Sequence, residues 1–123
     1  MWRDLLIIFI GGGVGSIMRY LLSKTLSSFT QYLPLGTLTA NILASAIFGI
    51  VAGGLFSRFP QETLWRLLIL TGFCGGLSTF STFNFEIYEY LKSGNFILAL
   101  LYIVCSLVFC LAAFAGATFI FSK

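Results

Sequence analysis

The sequence predicts an all-α membrane protein with four transmembrane helices. Hydrophobic residues make up 59% of its 123 residues and charged residues only 9%, and the mean hydropathy is +1.01. Soluble domains carry roughly 25% charged residues, so this chain has too few charges to cover a surface that faces water. Four apolar stretches reach the length of about 20 residues that crosses a bilayer as a helix.

The four predicted spans follow one another through short connections. They run from about Leu5 to Leu26, from about Leu35 to Phe56, from about Leu64 to Tyr90, and from about Phe96 to Phe121. Each connection carries a Pro, Gly or Ser stop signal. The N-terminal stretch lacks a small-x-small cleavage site, so we expect it to be retained as a span. No linker interrupts the chain, and we expect a single four-span transmembrane domain over residues 1–123.

The positive charges give the chain almost no preferred orientation. With four spans, both termini lie on one side, together with four basic residues, against three basic residues on the other side; the two sets are Arg3, Arg58, Arg66 and Lys123, and Arg19, Lys24 and Lys92. Lys and Arg normally mark the cytoplasmic side. A near-tie is typical either of weak signals or of a chain that inserts both ways. The second interpretation predicts an antiparallel homodimer.

Composition argues against several classes of function. Histidine is absent, which removes the commonest metal ligand and neutral-pH proton carrier. No nucleophile–base pair or cofactor motif is visible, so an enzyme is the least favoured class. The basic residues form no run that would indicate nucleic-acid binding. Cys74, Cys105 and Cys110 lie in apolar surroundings without CxxC spacing, and we interpret them as small buried hydrophobic residues.

Small and polar residues recur every fourth position in the second span. The stripe consists of Thr37, Asn41, Ser45, Gly49 and Gly53, which places it on one side of a helix. Gly11 and Gly15 repeat the spacing in the first span, and Ala112 and Gly116 in the fourth. Small residues at this spacing favour close helix packing in lipid. The Asn41 amide needs partners, either on another helix or as a donor that lines a path.

The third span contains the stretch TGFCGGLSTFSTFNFE. Gly72, Gly75 and Gly76 weaken the helix, and we expect it to be broken at its middle. Irregular backbone in a membrane is tolerated only where it is buried in protein or lines a cavity, and the freed backbone groups can bind ions. A packing kink would explain the glycines but explains the neighbouring hydroxyl groups poorly.

Aromatic and polar groups beyond this point suggest a path for an anion. Phe80 and Phe83 can project into one cavity, and the edge of a phenyl ring carries partial positive charge. Glu86 is an intramembrane acid and therefore a functional candidate; it could be protonated, pair with a donor such as Thr39, or face a vestibule. Arg19 could reach toward lipid headgroups or attract anions into a mouth.

The sequence resembles the Fluc/CrcB family of fluoride channels over the whole chain, and three motifs carry this resemblance. The motifs are GGGVGSIMRY, GTLTANILASAIFG and GFCGGLSTFSTF. The resemblance implies a multi-pass protein of the bacterial inner membrane that exports cytoplasmic fluoride passively. It also implies a dual-topology antiparallel homodimer with two fluoride pores and a structural sodium ion, Na⁺, at the dimer interface.

The same resemblance implies roles for individual residues. The fluoride path would be lined by Phe80 and Phe83, with Asn41 as a nearby donor and Arg19 at the aqueous entry. Four residues would form a polar track: Ser81, Thr82, Tyr102 and Ser106. We place Glu86 and Thr39 with this path. The backbone carbonyls of Gly75 and Ser78, from both subunits, would bind the sodium ion.

Two other functions remain open at this point. A small proton-coupled four-helix multidrug exporter would share the size and the dual insertion, but such carriers need a deep acid in the first span. This chain has only Asp4 at the edge of that span, and Glu86 would have to replace it. The second alternative is a structural or regulatory membrane subunit that transports nothing.

Overall fold

Four apolar helical spans build the molecule. The structure, a computed structural model, describes residues 1–59 and 61–122. The four helices long and apolar enough to cross a membrane are Trp2–Leu26, Leu35–Ala52, Glu62–Lys92 and Phe96–Phe121, called the first to fourth spans below. The prediction of an all-helical, four-span protein is confirmed. The charges assigned above to Lys123 and to the Arg58 side chain lie outside the described residues.

The second span ends earlier than predicted. Its helix stops at Ala52, and Gly54 then adopts a φ of 100°, in the left-handed region. A helix commonly ends where a glycine takes this conformation, because a Cβ is strained there. A short 3-10 turn, Leu55–Arg58, follows. The apolar residues after Gly53 had extended the predicted span, but hydropathy does not register the stop.

The third span consists of successive helical segments. An α-helical turn, Glu62–Arg66, continues into π-helical backbone over Leu67–Cys74 and a short α-helical segment, Gly75–Leu77. The second segment of the span, Phe80–Lys92, is a regular α-helix. Below, residues 62–77 are the first half of this span and Phe80–Lys92 the second half.

Glycines allow the first span to lie directly against the first half of the third span. A Cβ at Gly15 would collide with the carbonyl oxygen of Phe73, and a Cβ at Gly76 would collide with the carbonyl oxygen of Gly12. Gly11 lies as close to the backbone of Leu68. The predicted packing role of Gly11 and Gly15 is confirmed, and it fits the use of small residues where helices approach closely in lipid.

The second span packs mainly on the fourth. A Cβ at Gly49 would collide with the carbonyl oxygen of Phe114, and Thr118 Oγ1 donates a 3.1 Å hydrogen bond to the Gly49 carbonyl. Gly116 differs from the prediction, since no described atom lies within 4 Å of a Cβ built there. Gly116 and Ala112 are both exposed, so this stripe faces outward.

Apolar side chains cover much of the outer surface, and a small cluster of buried residues lies between the spans. The core contains Ala40, Ala44, Cys74 and Leu77, each at most 4% exposed. Cys74 is thus the small buried hydrophobe that the sequence predicted. Cys105 and Cys110 are only partly buried. Exposed apolar surface on all four spans is the pattern of a protein surrounded by lipid or by another apolar surface.

Candidate functional site

The backbone leaves the helical conformation at two residues of the third span. Ser78 has φ −77° and ψ 154°, and Thr79 has φ −152° and ψ 121°. These extended values separate the segment that ends at Leu77 from the helix that begins at Phe80. The irregular residues come after Gly75 and Gly76, which are still helical. Extended backbone exposes N–H and C=O groups that need partners inside a membrane.

Asn41 supplies partners for this irregular backbone. Its Oδ1 accepts a 2.8 Å hydrogen bond from the Thr79 N–H, and its Nδ2 donates a 3.3 Å bond to the Thr79 carbonyl. The amide therefore pairs with both backbone groups of one residue, as a neighbouring β-strand would. The sequence left open whether Asn41 joins helices or lines a path. In the structure it joins the second span to the third, and it also faces a cavity.

The Thr79 side chain caps the second half of the third span. Its Oγ1 accepts a 3.2 Å hydrogen bond from the Thr82 N–H and donates a 3.0 Å bond to Thr82 Oγ1. Threonine is a favoured residue at a helix start because its oxygen satisfies an N–H that has no partner within the helix. Ser81 Oγ lies 3.3 Å from the same oxygen. Ser81 and Thr82, both predicted for the polar track, therefore gather around Thr79.

Three aromatic rings form a chain beside this cap. The ring centres of Phe80 and Phe83 are 5.9 Å apart, and those of Phe83 and Tyr102 are 5.1 Å apart. Phe83 is 8% exposed and Phe80 is 74% exposed. The two phenylalanines line the same cavity, as their spacing predicted, although much of the Phe80 ring is uncovered in the single chain.

Glu86 receives one hydrogen bond from each of two other spans. Thr37 Oγ1 donates to Oε1 at 2.6 Å, and Tyr102 OH donates to Oε2 at 2.7 Å. The suggested pairing with Thr39 is therefore replaced by pairing with Thr37. Thr37 lies one helical turn from Asn41, on the face toward the third span, whereas Thr39 lies two residues along and turns to a different face.

A cavity of about 240 Å³ joins the polar and aromatic groups. Its wall is formed by Asn41, Ser45, Ser78, Thr79, Phe80, Phe83, Ser106, Leu107 and Cys110. Ser106 is 6% exposed, and no described group makes a hydrogen bond with its Oγ. Buried polar groups are normally paired. The unpaired Ser106 hydroxyl in the cavity wall can therefore donate a hydrogen bond to a small ion or molecule bound there.

Glu86 also borders a larger cavity of about 570 Å³ on the side of the connection between the first two spans. Its wall includes Ser23, Thr37, Glu86 and Tyr90. Tyr90 OH donates a hydrogen bond to the Tyr32 carbonyl in that connection. The ring of Tyr90 meets that of Tyr102 edge-on, with centres 6.2 Å apart. The carboxyl group thus lies between a wide mouth and the aromatic chain.

Two predicted path residues lie apart from both cavities. Arg19 is half-buried, and its Nε has no hydrogen-bond partner among the described residues. Arg19 and Thr39 do not appear in the wall of either cavity described above. The remaining predicted path residues lie in a cavity wall or within hydrogen-bond distance of a wall residue: Asn41, Phe80, Ser81, Thr82, Phe83, Glu86, Tyr102 and Ser106.

Gly75 and Ser78 share a third cavity, of about 230 Å³, whose wall also includes Ala44, Ser45 and Cys74. The backbone groups of both residues differ from those in a continuous helix. The N–H groups four residues further on belong to Thr79 and Thr82, and they donate to Asn41 Oδ1 and to Thr79 Oγ1. The carbonyls of Gly75 and Ser78 are therefore released from their usual helical partners.

Sequence reasoning missed some residues of the site. Thr37 was placed in the small-residue stripe but was not assigned as the partner of Glu86. Its spacing of four from Asn41 could have indicated that role. Ser45 and Cys110 line the smaller cavity, whereas Cys110 was interpreted as buried apolar filling. Its spacing of four from Ser106 was the available signal.

This chain is similar to known proteins along nearly its whole length. The profile of the family described as "CrcB-like protein, Camphor Resistance (CrcB)" matches residues 6–118. A protein of Escherichia coli K12 named fluoride-specific ion channel FluC is 47% identical over 123 residues, covering 99% of this chain and 96% of that protein. The protein of the same name from Leptospira interrogans serovar copenhageni is 48% identical over 117 residues, or 93% and 91% of the two chains.

A third relative, from Serratia proteamaculans, carries the same name and is 45% identical over 119 residues, which cover 93% of each chain. Together with the four apolar helices, these matches identify a multi-pass protein of the bacterial inner membrane. Since both the family profile and the relatives cover nearly its full length, this chain belongs to the CrcB family.

Proposed function

We propose that the chain forms a fluoride-selective channel through which cytoplasmic fluoride leaves passively. The proposal is carried by one observation, the 47% identity over 99% of the chain to a relative named fluoride-specific ion channel. The chain is not an enzyme, because the family is one of ion channels. The smaller cavity supports the proposal, since it combines donor groups with aromatic ring edges in a space of about 240 Å³.

Donors and ring edges in the cavity would replace part of the water around a fluoride ion. Ser106 offers an unpaired hydroxyl, and an amide nitrogen has two N–H donors, of which Asn41 commits one to Thr79. The edges of Phe80 and Phe83 add a weak attraction for an anion. Conduction requires such a compromise between binding and release. The path would be too narrow for chloride, which is a larger ion than fluoride.

Fluoride would reach this cavity through the larger mouth. The mouth is wide and partly polar, and Glu86 lies between it and Tyr102. In this proposal Arg19, which lies one helical turn before Ser23 of the mouth wall, raises the local concentration of anions, because a fixed positive charge attracts them. Glu86 holds Tyr102 and Thr37 in place by accepting from both hydroxyl groups.

The functional unit in this proposal is an antiparallel dual-topology homodimer with two pores. Phe80 is 74% exposed in the single chain although it lines the cavity, so the cavity lacks one wall. A second copy of this chain would provide an apolar cover for that ring. The near-equal distribution of basic residues between the two sides is what a chain inserted in both directions requires. The broken third helix belongs to the same proposal, as the element that presents backbone groups to both ions.

A structural sodium ion at the dimer interface fits the released carbonyls of the third span. Sodium is a hard cation that is bound by oxygen ligands, and unwound backbone carbonyls provide such ligands in membrane proteins. The carbonyls of Gly75 and Ser78 no longer accept helical hydrogen bonds from the N–H groups of Thr79 and Thr82. These N–H groups donate to Asn41 Oδ1 and Thr79 Oγ1 instead. Two copies of the pair would give four oxygen ligands. When bound, the ion would supply positive charge that offsets the dipoles of these carbonyls.

The proton-coupled exporter is not favoured by the family match. Its essential acid would have to be Glu86, but both oxygens of that carboxyl group are already engaged by Thr37 and Tyr102. The subunit that transports nothing predicts no ion flux from the purified protein, so the experiment below also decides that alternative.

The decisive experiment is ion efflux from liposomes that contain only the purified protein. We expect fast release of fluoride that needs only a charge-balancing ionophore, with negligible release of chloride from matched liposomes. Absence of fluoride release from well-folded protein would refute the proposal. Fluoride release that requires a proton gradient, even with the ionophore present, would favour a coupled carrier instead.

A further inference from the structure

Thr79 connects the two halves of the third span to the second span. Its N–H and carbonyl pair with the Asn41 amide at 2.8 and 3.3 Å. Its Oγ1 accepts from the Thr82 N–H at 3.2 Å. We call this set of three hydrogen bonds the Asn41–Thr79 clamp. The residue is 8% exposed, so solvent cannot easily replace these partners.

The clamp withdraws two backbone donors from the carbonyls that precede them. In a continuous helix the Thr79 N–H would donate to the Gly75 carbonyl, and the Thr82 N–H would donate to the Ser78 carbonyl. Here Asn41 Oδ1 takes the first N–H and Thr79 Oγ1 takes the second. The two bonds that take these N–H groups therefore each keep one of the two carbonyls available for another ligand.

The other face of the clamp belongs to the smaller cavity. Asn41 and Thr79 both lie in its wall. Phe83 lies in the same wall, one helical turn after Thr79, which caps the helix. Ser78 lies in the walls of both this cavity and the one shared with Gly75. A movement of Thr79 would change both walls together, since the same residue sets the start of the second helix and the release of the carbonyls.

We propose that the Asn41–Thr79 clamp couples a monovalent-cation site, formed by the carbonyls of Gly75 and Ser78, to the anion cavity. Thr79 acts as a positioning residue that touches neither ion through its own side chain. Asn41 has a structural role besides that of an anion donor. This inference rests on the proposed function, because the cation site and the anion path are both part of it.

The test measures sodium affinity rather than transport. Purified protein is unfolded thermally at increasing sodium concentration, with N-methyl-glucamine replacing sodium at constant ionic strength, and the sodium dissociation constant is fitted from the rise in stability. In Thr79→Val the shape is kept but the acceptor for the Thr82 N–H is lost, so this N–H is free to compete for the Ser78 carbonyl. We expect this dissociation constant to rise about fivefold, the effect of a typical net hydrogen bond.

Further variants separate positioning from general stability. Thr79→Ser keeps the oxygen and should restore the wild-type sodium dependence. Asn41→Leu removes the partner of the Thr79 backbone and should weaken sodium binding at least as much as Thr79→Val. Thr118→Val is the matched control, because it loses the hydrogen bond to Gly49 far from the clamp. It should lower stability equally at every sodium concentration.

The unmodified protein offers an independent test if a variant fails to fold. Hydrogen exchange over residues 75–82 should slow when sodium is added, because the cation holds the carbonyls and so favours the closed clamp. Equal exchange with and without sodium would overturn the coupling. So would equal sodium dependence of Thr79→Val and wild type, or no sodium dependence in wild type. The fluoride proposal would survive each of these results if efflux from liposomes is selective.

Discussion

Tyr102 donates a 2.7 Å hydrogen bond to Glu86 from a side chain with no exposed surface. The bond joins the fourth span to the third, while Thr37 joins the second span to the same carboxyl group at 2.6 Å. An intramembrane carboxyl group thereby has both oxygens satisfied, as a buried polar group requires. The ring of Tyr102 also meets that of Phe83, which lies in the wall of the smaller cavity. Tyr102 therefore links the carboxyl group to this wall.

Replacing Tyr102 by Phe should therefore affect both stability and transport. The variant keeps the ring but leaves Glu86 Oε2 without its donor. We expect the free energy of unfolding to fall by about 1–3 kcal/mol, the cost of an unsatisfied buried group. Fluoride efflux from liposomes should slow, because the ring is no longer held against Phe83. Tyr88→Phe is the control on the third span, since Tyr88 is 60% exposed. Wild-type efflux in Tyr102→Phe would contradict this role.

Replacing Phe83 by Ile tests the use of ring edges. Isoleucine keeps apolar volume but has no ring quadrupole, so the cavity should accept fluoride less readily. We expect efflux at least about tenfold slower, equivalent to about 1.4 kcal/mol, with the oligomeric state unchanged by size-exclusion chromatography. Phe80→Ile should act in the same direction. Phe109→Ile on the outer surface of the fourth span serves as the control. Unchanged efflux in both cavity variants would refute the ring-edge hypothesis.

The spans were predictable because hydropathy is a local property of the sequence. The fourth span, Phe96–Phe121, has the predicted bounds. The second ends four residues early, at Ala52 instead of Phe56, because the conformation of Gly54 ends the helix and hydropathy does not detect it. The close approach at Gly15 was also predictable, since small residues at a spacing of four define one face of a helix before its partner is known.

The partners of the polar residues were not predictable in the same way. Periodicity places Thr37 and Asn41 on one face, but it does not say that this face meets Glu86 and Thr79. That depends on how far one span is shifted along its neighbour, and the shift is set by packing between spans. The same limit applies to the irregular backbone. The glycines indicated a weak helix near residue 75, whereas the extended residues are Ser78 and Thr79, where Asn41 and the Thr79 hydroxyl provide replacement partners.

Gly15 offers a direct test of the packing between the first and third spans. In Gly15→Ala the added methyl group would meet the Phe73 carbonyl oxygen, so the two backbones must separate. We expect a loss of about 1–3 kcal/mol in the free energy of unfolding, as for other overpacked interiors. Gly13→Ala is matched in chemistry and lies on the same helix, but nothing lies within 4 Å of its added methyl group. It should show no loss. Equal melting temperatures for the two variants would contradict the described packing.

Ser106 separates a structural role from a role in transport. Its hydroxyl is buried and makes no hydrogen bond with any described group, so Ser106→Ala removes no interaction that holds the fold together. Stability should be equal to or slightly above that of wild type, because an unpaired buried polar group is costly. Fluoride efflux should nevertheless fall, since the cavity loses a donor that replaces water around the ion. Cys105→Ala, one residue away, is the control. A variant that is less stable yet conducts normally would show that the hydroxyl serves the fold, and would remove Ser106 from the proposed fluoride path.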